Sequence, residues 1–157
     1  QLIQYKNMIT YKKMYSRYTE GWRIGYTGFS DSGDDLIIPY VFYFDQVRLK
    51  PDILSHKKIK SVDTYTLGTG LNGYVKILEG FYIGIGLEVP VGVEVIESSE
   101  DNKRTHFLIG ANIKEGILII PWEDFGIVMG VSIFQSFKSS KVYQSNYGFE
   151  WEVGINF

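Results

Sequence analysis

The chain has no cysteine and a single alanine, Ala111, among its 157 residues. The first absence excludes a disulfide scaffold and a thiolate metal centre. The second argues against a helical protein, because alanine is the strongest helix former. No apolar run approaches the ~20 residues that a membrane-spanning helix needs, so any crossing of a membrane has to use strands. A formal net charge of −2 supplies no basic surface for nucleic acid. With two histidines, His56 and His106, the chain offers no catalytic, cofactor-binding or metal-binding motif.

What the chain has instead is 12 Tyr, 10 Phe, 3 Trp and 17 Gly, a composition of strands and tight turns. Its length fits one domain, residues 1–157. The polar start at Gln1 reads as a mature or a trimmed terminus. The most regular stretch is 81–96. Phe81, Ile83, Ile85, Leu87, Val89, Val91, Val93 and Val95 hold one parity, while Gly84, Gly86, Glu88, Pro90, Gly92 and Glu94 hold the other. Side chains alternate across a strand, so one face is wholly apolar. At ~45° tilt, a strand of this length rises roughly 35 Å and crosses an apolar band of ~25 Å.

The same reading gives strands over 2–18, 21–30, 36–45, 62–78, 105–120, 125–137 and 147–157, eight in all. Thr19-Glu20-Gly21 is expected to turn, Pro39 to break or bulge its strand, and Glu115-Gly116 to bulge. Connections at 31–35, 79–80 and 121–124 fall on one side and are short. Those at 46–61, 97–104 and 138–146 fall on the other and are longer. The acidic 31–35 turn lacks the later glutamate of a calcium loop and reads as a solvated turn.

A soluble barrel would put the apolar parity inside and the other in water. The second parity is rich in glycine, including Gly84, Gly86, Gly92, Gly126, Gly130, Gly148 and Gly154. Glycine on a wet strand face weakens the strand with no packing return, whereas in a narrow lumen it makes room for large neighbours. The charges on that parity have both signs: Glu88, Glu94, Glu150 and Glu152 against Arg23, Lys76 and Lys114. They are expected to form a lumen charge network, since a buried charge without a partner is costly. The fold expected is an all-β, eight-stranded, antiparallel up-and-down transmembrane barrel with a glycine-rich polar lumen. Such a lumen is filled by side chains, which excludes a wide pore.

The final strand adds a resemblance. Tyr147, Phe149, Trp151, Val153, Ile155 and Phe157 alternate up to a terminal phenylalanine, and this resembles the C-terminal signature of bacterial outer-membrane β-barrel proteins. The resemblance implies an outer-membrane location, contact with lipid, and recognition of that segment by the barrel-assembly machinery. Among small barrels of that class, strand count and terminus are similar to the OmpA membrane domain and to OmpX-like and OmpW-like proteins. It implies a monomer with a structural or surface-interaction role and no cofactor. The alternatives are an OmpW-like narrow channel for small hydrophobic compounds, a lipid A-modifying enzyme, and a soluble ligand-binding barrel. The deacylase kind of enzyme needs a His-x-Ser that neither His56 nor His106 supplies. The most basic connection, 46–61, carries Arg48, Lys50, Lys57, Lys58 and Lys60, a candidate contact for lipopolysaccharide phosphates.

Overall fold

The computed structural model describes residues 4–16, 19–31, 36–49, 59–98, 102–122, 125–139 and 145–157. Within them, eight antiparallel strands close into a barrel. These are β1 (Gln4–Ser16), β2 (Thr19–Asp31), β3 (Leu36–Ile37 and Tyr40–Leu49, interrupted at Pro39) and β4 (Ile59–Leu78). They continue with β5 (Phe81–Ser98), β6 (Lys103–Ile119), β7 (Gly126–Lys138) and β8 (Ser145–Asn156). Each strand pairs with its sequence neighbours, and β8 pairs back to β1 from Met8↔Asn156 to Ser16↔Gly148. Asn7 and Phe157 exchange backbone hydrogen bonds of 3.1 and 2.9 Å at the end of that seam. Closure leaves no free edge, the condition a sheet must meet to sit in hydrocarbon.

The parity on β5 falls as the sequence requires. Val89 is 45% exposed and Leu87 58%, while Glu88 and Glu94 are 2% and 0% exposed. The same alternation runs around the barrel, with Ile9, Ile24, Phe42, Leu67, Ile109, Val131 and Phe149 all on the outside. An outer surface this apolar belongs in lipid rather than water. A soluble barrel, with its apolar face inside, is thereby set aside. Phe81, Trp122, Phe125 and Phe157 are exposed at one rim, and Tyr65, Phe107 and Tyr147 toward the other, where aromatic girdles sit on a membrane barrel.

Glycine makes the lumen possible. A Cβ on Gly68 would lie 2.1 Å from Tyr43 Cζ, and one on Gly86 2.2 Å from Asn72 Oδ1. At Gly84 it would meet the Tyr74 ring at 2.5 Å, and at Gly130 the Glu152 carboxylate at 2.7 Å. Large inward side chains lie across the places where smaller ones are missing. Gly80 alone among the described glycines has a positive φ, +81°, in the Glu79-Gly80 turn.

Several boundaries differ from expectation. The first turn is not at 19–21, because β2 already begins at Thr19. Ser16 Oγ accepts from the Thr19 N–H at 2.9 Å, tying the strand ends across two residues. Gly21 is a strand residue whose absent Cβ would approach Gln46 O at 2.7 Å. Pro39 interrupts β3 without shifting its register, since Leu36↔Val75 and Tyr40↔Leu71 follow one ladder. Glu115-Gly116 is no bulge: the ladder with β5 runs unbroken through Ile85↔Glu115 and Gly84↔Gly116, and Glu115 keeps the outward parity.

The expected 46–61 loop is shorter, because β3 runs to Leu49 and β4 begins at Ile59. Past the apolar band the rule of sides reverses. Val47, Leu49 and Val62 are buried inside, whereas Arg48 faces out. The opposite end behaves alike, with Met8, Tyr82, Leu118, Ile120 and Val128 forming an apolar plug beside Tyr74. The charged lattice lies across the middle, and apolar residues join the inward face toward both ends. The 31–35 turn lies largely outside the described residues.

Candidate functional site

The middle of the lumen is built from strand register. Neighbouring strands place Glu152, Lys12, Arg23 and Asp45 side by side, through Lys12↔Glu152, Lys12↔Arg23 and Arg23↔Asp45. Glu152 thus stands beside Lys12 and Asp45 beside Arg23, the favourable cross-strand arrangement, while Lys12 and Arg23 are like charges in direct register that these carboxylates must offset.

Arg23 is the centre of this layer. Its Nε and Nη2 donate to the two Asp45 carboxylate oxygens at 2.5 and 3.0 Å, a bidentate pair. Its Nη1 donates to Glu88 Oε2 at 2.6 Å, and its guanidinium lies 3.5 Å over the Tyr43 ring. Lys12 Nζ reaches Glu150 at 3.2 Å and Glu152 at 3.8 Å. Lys114 Nζ bridges Glu88 at 3.8 Å and Glu150 at 3.9 Å. Three cations and four carboxylates from six strands thereby form one connected lattice, nearly free of solvent. Among the residues lining the lattice are two small cavities. One of about 30 Å³ is bordered by Met14, Arg23, Glu88 and Ser136, the other of about 10 Å³ by Thr10, Lys12, Asn72 and Tyr74. Each has room for about one or two waters.

Of the residues expected in a lumen network, Arg23, Glu88, Lys114, Glu150 and Glu152 come together here. Glu94 is enclosed nearer the outer end, opposite His106 in the ladder. Lys76 lies apart, at the other rim, where it pairs with Glu79 at 3.0 Å. Lys12 and Asp45 were not among the expected members. Lys12 sat on the polar parity of β1 and was legible there, while Asp45 ended a strand whose two faces are both apolar.

Arg48 is exposed at the outer end of β3, and its Nε donates to Asp63 at 2.9 Å. Lys50, Lys57 and Lys58 lie outside the described residues, as does the side chain of Lys60, whose backbone belongs to β4. His56 lies outside them too. Tyr147, Phe149, Trp151, Val153, Ile155 and Phe157 all stand on the outer face. Phe149 stacks on Tyr15 of β1 at 5.3 Å, and Trp151 tilts against Tyr11 at 6.3 Å.

Breaking the lattice should be costly while the rim pair should matter little. Glu88→Ala leaves Arg23 and Lys114 short of a counter-ion and is expected to lower stability by about 3–5 kcal/mol. Lys76→Ala, whose partner is solvated, is expected to change it by about 0–1 kcal/mol. Urea unfolding of the vesicle-inserted protein, followed by tryptophan fluorescence, measures both. Equal effects would contradict the assignment.

No protein-family model matches the chain, and no curated protein sequence does. Solved structures share its shape at low identity. The Neisserial surface protein A barrel matches with a TM-score of 0.61 and 12% identity, over 99% of this chain and 98% of that one. Ail, the attachment invasion locus protein of Yersinia pestis, in complex with the heparin analogue sucrose octasulfate, matches with 0.62 and 15% over the whole of both chains. The N-terminal barrel domain of Pseudomonas aeruginosa OprF matches with 0.53 and 15%, over 99% and 100%. The closed eight-stranded barrel with its apolar exterior and charged lumen is therefore the fold of bacterial outer-membrane barrel proteins.

Proposed function

We propose that the chain is an integral outer-membrane protein with a structural or surface-interaction role, neither a wide pore nor an enzyme. The observation that carries this reading is the filled lumen. Among the described residues, a charged lattice across the middle and an apolar plug at one end fill the lumen around two water-sized cavities. The narrow-channel alternative needs a continuous apolar path, which the lattice interrupts. The catalytic alternative is not supported either, since His106 stands on the inward parity opposite Glu94, turned from the lipid where a lipid-modifying centre would work. Reconstitution into planar bilayers should give no stepwise conductance. Reproducible channel steps would overturn the reading.

The surface role would rest on the outer connection around 50–58 and its flanks. Lys50, Lys57, Lys58 and Lys60 with Arg48 form a basic set, and anionic surface ligands such as lipopolysaccharide phosphates are their natural partners. That Ail, a barrel of similar shape, is seen in complex with the heparin analogue sucrose octasulfate supports an anionic ligand for this chain. Replacing Lys57, Lys58 and Lys60 together with Gln should weaken binding to lipopolysaccharide several-fold at low salt, with the loss shrinking as salt rises. Unchanged binding would remove the loop from the proposal.

A further inference from the structure

Across the apolar band between the two rims, two described side chains carry charge on the lipid side. Lys13 of β1 lies between buried Lys12 and Met14, opposite Trp22 and Trp151 in the flanking ladders, and so points outward. Glu115 of β6 is exposed between Ile113 and Ile117. Neither takes part in an ion pair with a described residue. A charge facing hydrocarbon is costly and, on a barrel, marks a place where something other than lipid is met.

The two charges stand at neighbouring depths. Glu150 touches Lys12 from one side and Lys114 from the other within the lumen. Because β1 and β6 run in opposite directions, Lys13 lies one residue further toward the outer rim and Glu115 one residue further toward the other, so the two stand within about two residues' rise of each other on the outer wall. They do not face the same way, because β7 and β8 stand between β6 and β1. Glu115 also sits in a groove of about 550 Å³ lined by Ile113, Ile133, Gln135, Tyr147 and Phe149. The groove is mostly apolar, its polar groups being Glu115, the Gln135 amide and the Tyr147 hydroxyl, while Lys114 borders it with its ammonium turned into the lumen. It could take a long aliphatic side chain ending in an ammonium. Lys13 is such a side chain.

We propose that copies of this chain associate side by side in the membrane, with Lys13 of one copy entering the Glu115 groove of the next. Complementary charge at neighbouring depths, within the reach of a lysine side chain, identifies the occupant as a second copy. The two patches lie on different flanks, so the contact is heterologous and propagates head to tail into rows or rings. The pair replaces two uncompensated charges in lipid by one neutral contact. The monomer expected from sequence then becomes a unit of an assembly.

A charge swap tests this. Wild-type protein labelled with donor and acceptor dyes in phosphatidylcholine vesicles should show energy transfer beyond that of random proximity. Lys13→Glu and Glu115→Lys should each weaken association about tenfold or more, by setting like charges against one another. The double variant Lys13→Glu/Glu115→Lys should restore it. Equimolar single variants, each unable to self-associate, should associate with one another, because each then supplies the other's missing charge. Folding of every variant is checked by its heat-dependent gel mobility. If a single variant fails that check, Lys13→Gln and Glu115→Gln take its place and should weaken association without reversing it. Wild-type transfer no greater than random proximity, single variants that associate like wild type, or a double swap that stays apart would each overturn the proposal. Any of these results leaves the filled, non-conducting barrel untouched, since its test is conductance.

Discussion

Everything inside this barrel depends on Arg23 being held between Asp45 and Glu88. A guanidinium enclosed by protein and surrounded by membrane has no bulk water to return to, so its counter-ions must come from the wall. Asp45 supplies a planar bidentate partner from the adjacent strand, and Glu88 reaches across the lumen from β5. That second contact ties β2 to a strand it does not pair with. Lys114 and Glu150 carry the link on to β6 and β8, and Lys12 brings it back to β1. The backbone ladder closes the cylinder, while the lattice fixes what lies across its diameter.

The glycines follow from the same constraint. Side chains as long as arginine, lysine, glutamate and tyrosine fit a narrow lumen only where their neighbours give way. Gly68 admits the Tyr43 ring on which Arg23 rests, Gly86 admits Lys114, and Gly130 admits Glu152. Their placement is therefore a record of where the large inward groups lie. It also explains why the cavities among the described lattice residues are small, and why surface chemistry at the outer end is the better place to look for a role.

How much of this could be read from residues alone depends on where along each strand one looks. The middle of β5 and β8 was legible because apolar residues face lipid and everything else faces the lumen, giving unbroken alternation from Phe81 to Val93 and from Tyr147 to Phe157. The ends were not. Val47, Leu49 and Val62 turn inward once the outside becomes water, so the sign of the pattern flips and the segment loses its apparent alternation. Gly21 and Gly116 were read as turn and bulge signals, whereas each accommodates a neighbouring strand or side chain. Lattice membership of Glu88, Glu150 and Arg23 was legible from parity. The actual partners were not, because parity gives the side of the wall and leaves unstated which groups across the lumen stand at equal height.

Lipid meets the odd-numbered side of β5, and the even-numbered side is sealed within. Single nitroxide labels on cysteines introduced at Ile83, Leu87, Val89 and Val91, and in turn at Gly84, Glu88 and Gly92, test it in bilayers, helped by the absence of native cysteine. Collision with dissolved oxygen, which concentrates in hydrocarbon, should be high at the first set and low at the second wherever the labelled protein folds. High oxygen contact at the even positions with low contact at the odd ones would show the barrel to be the other way out, and would contradict the account.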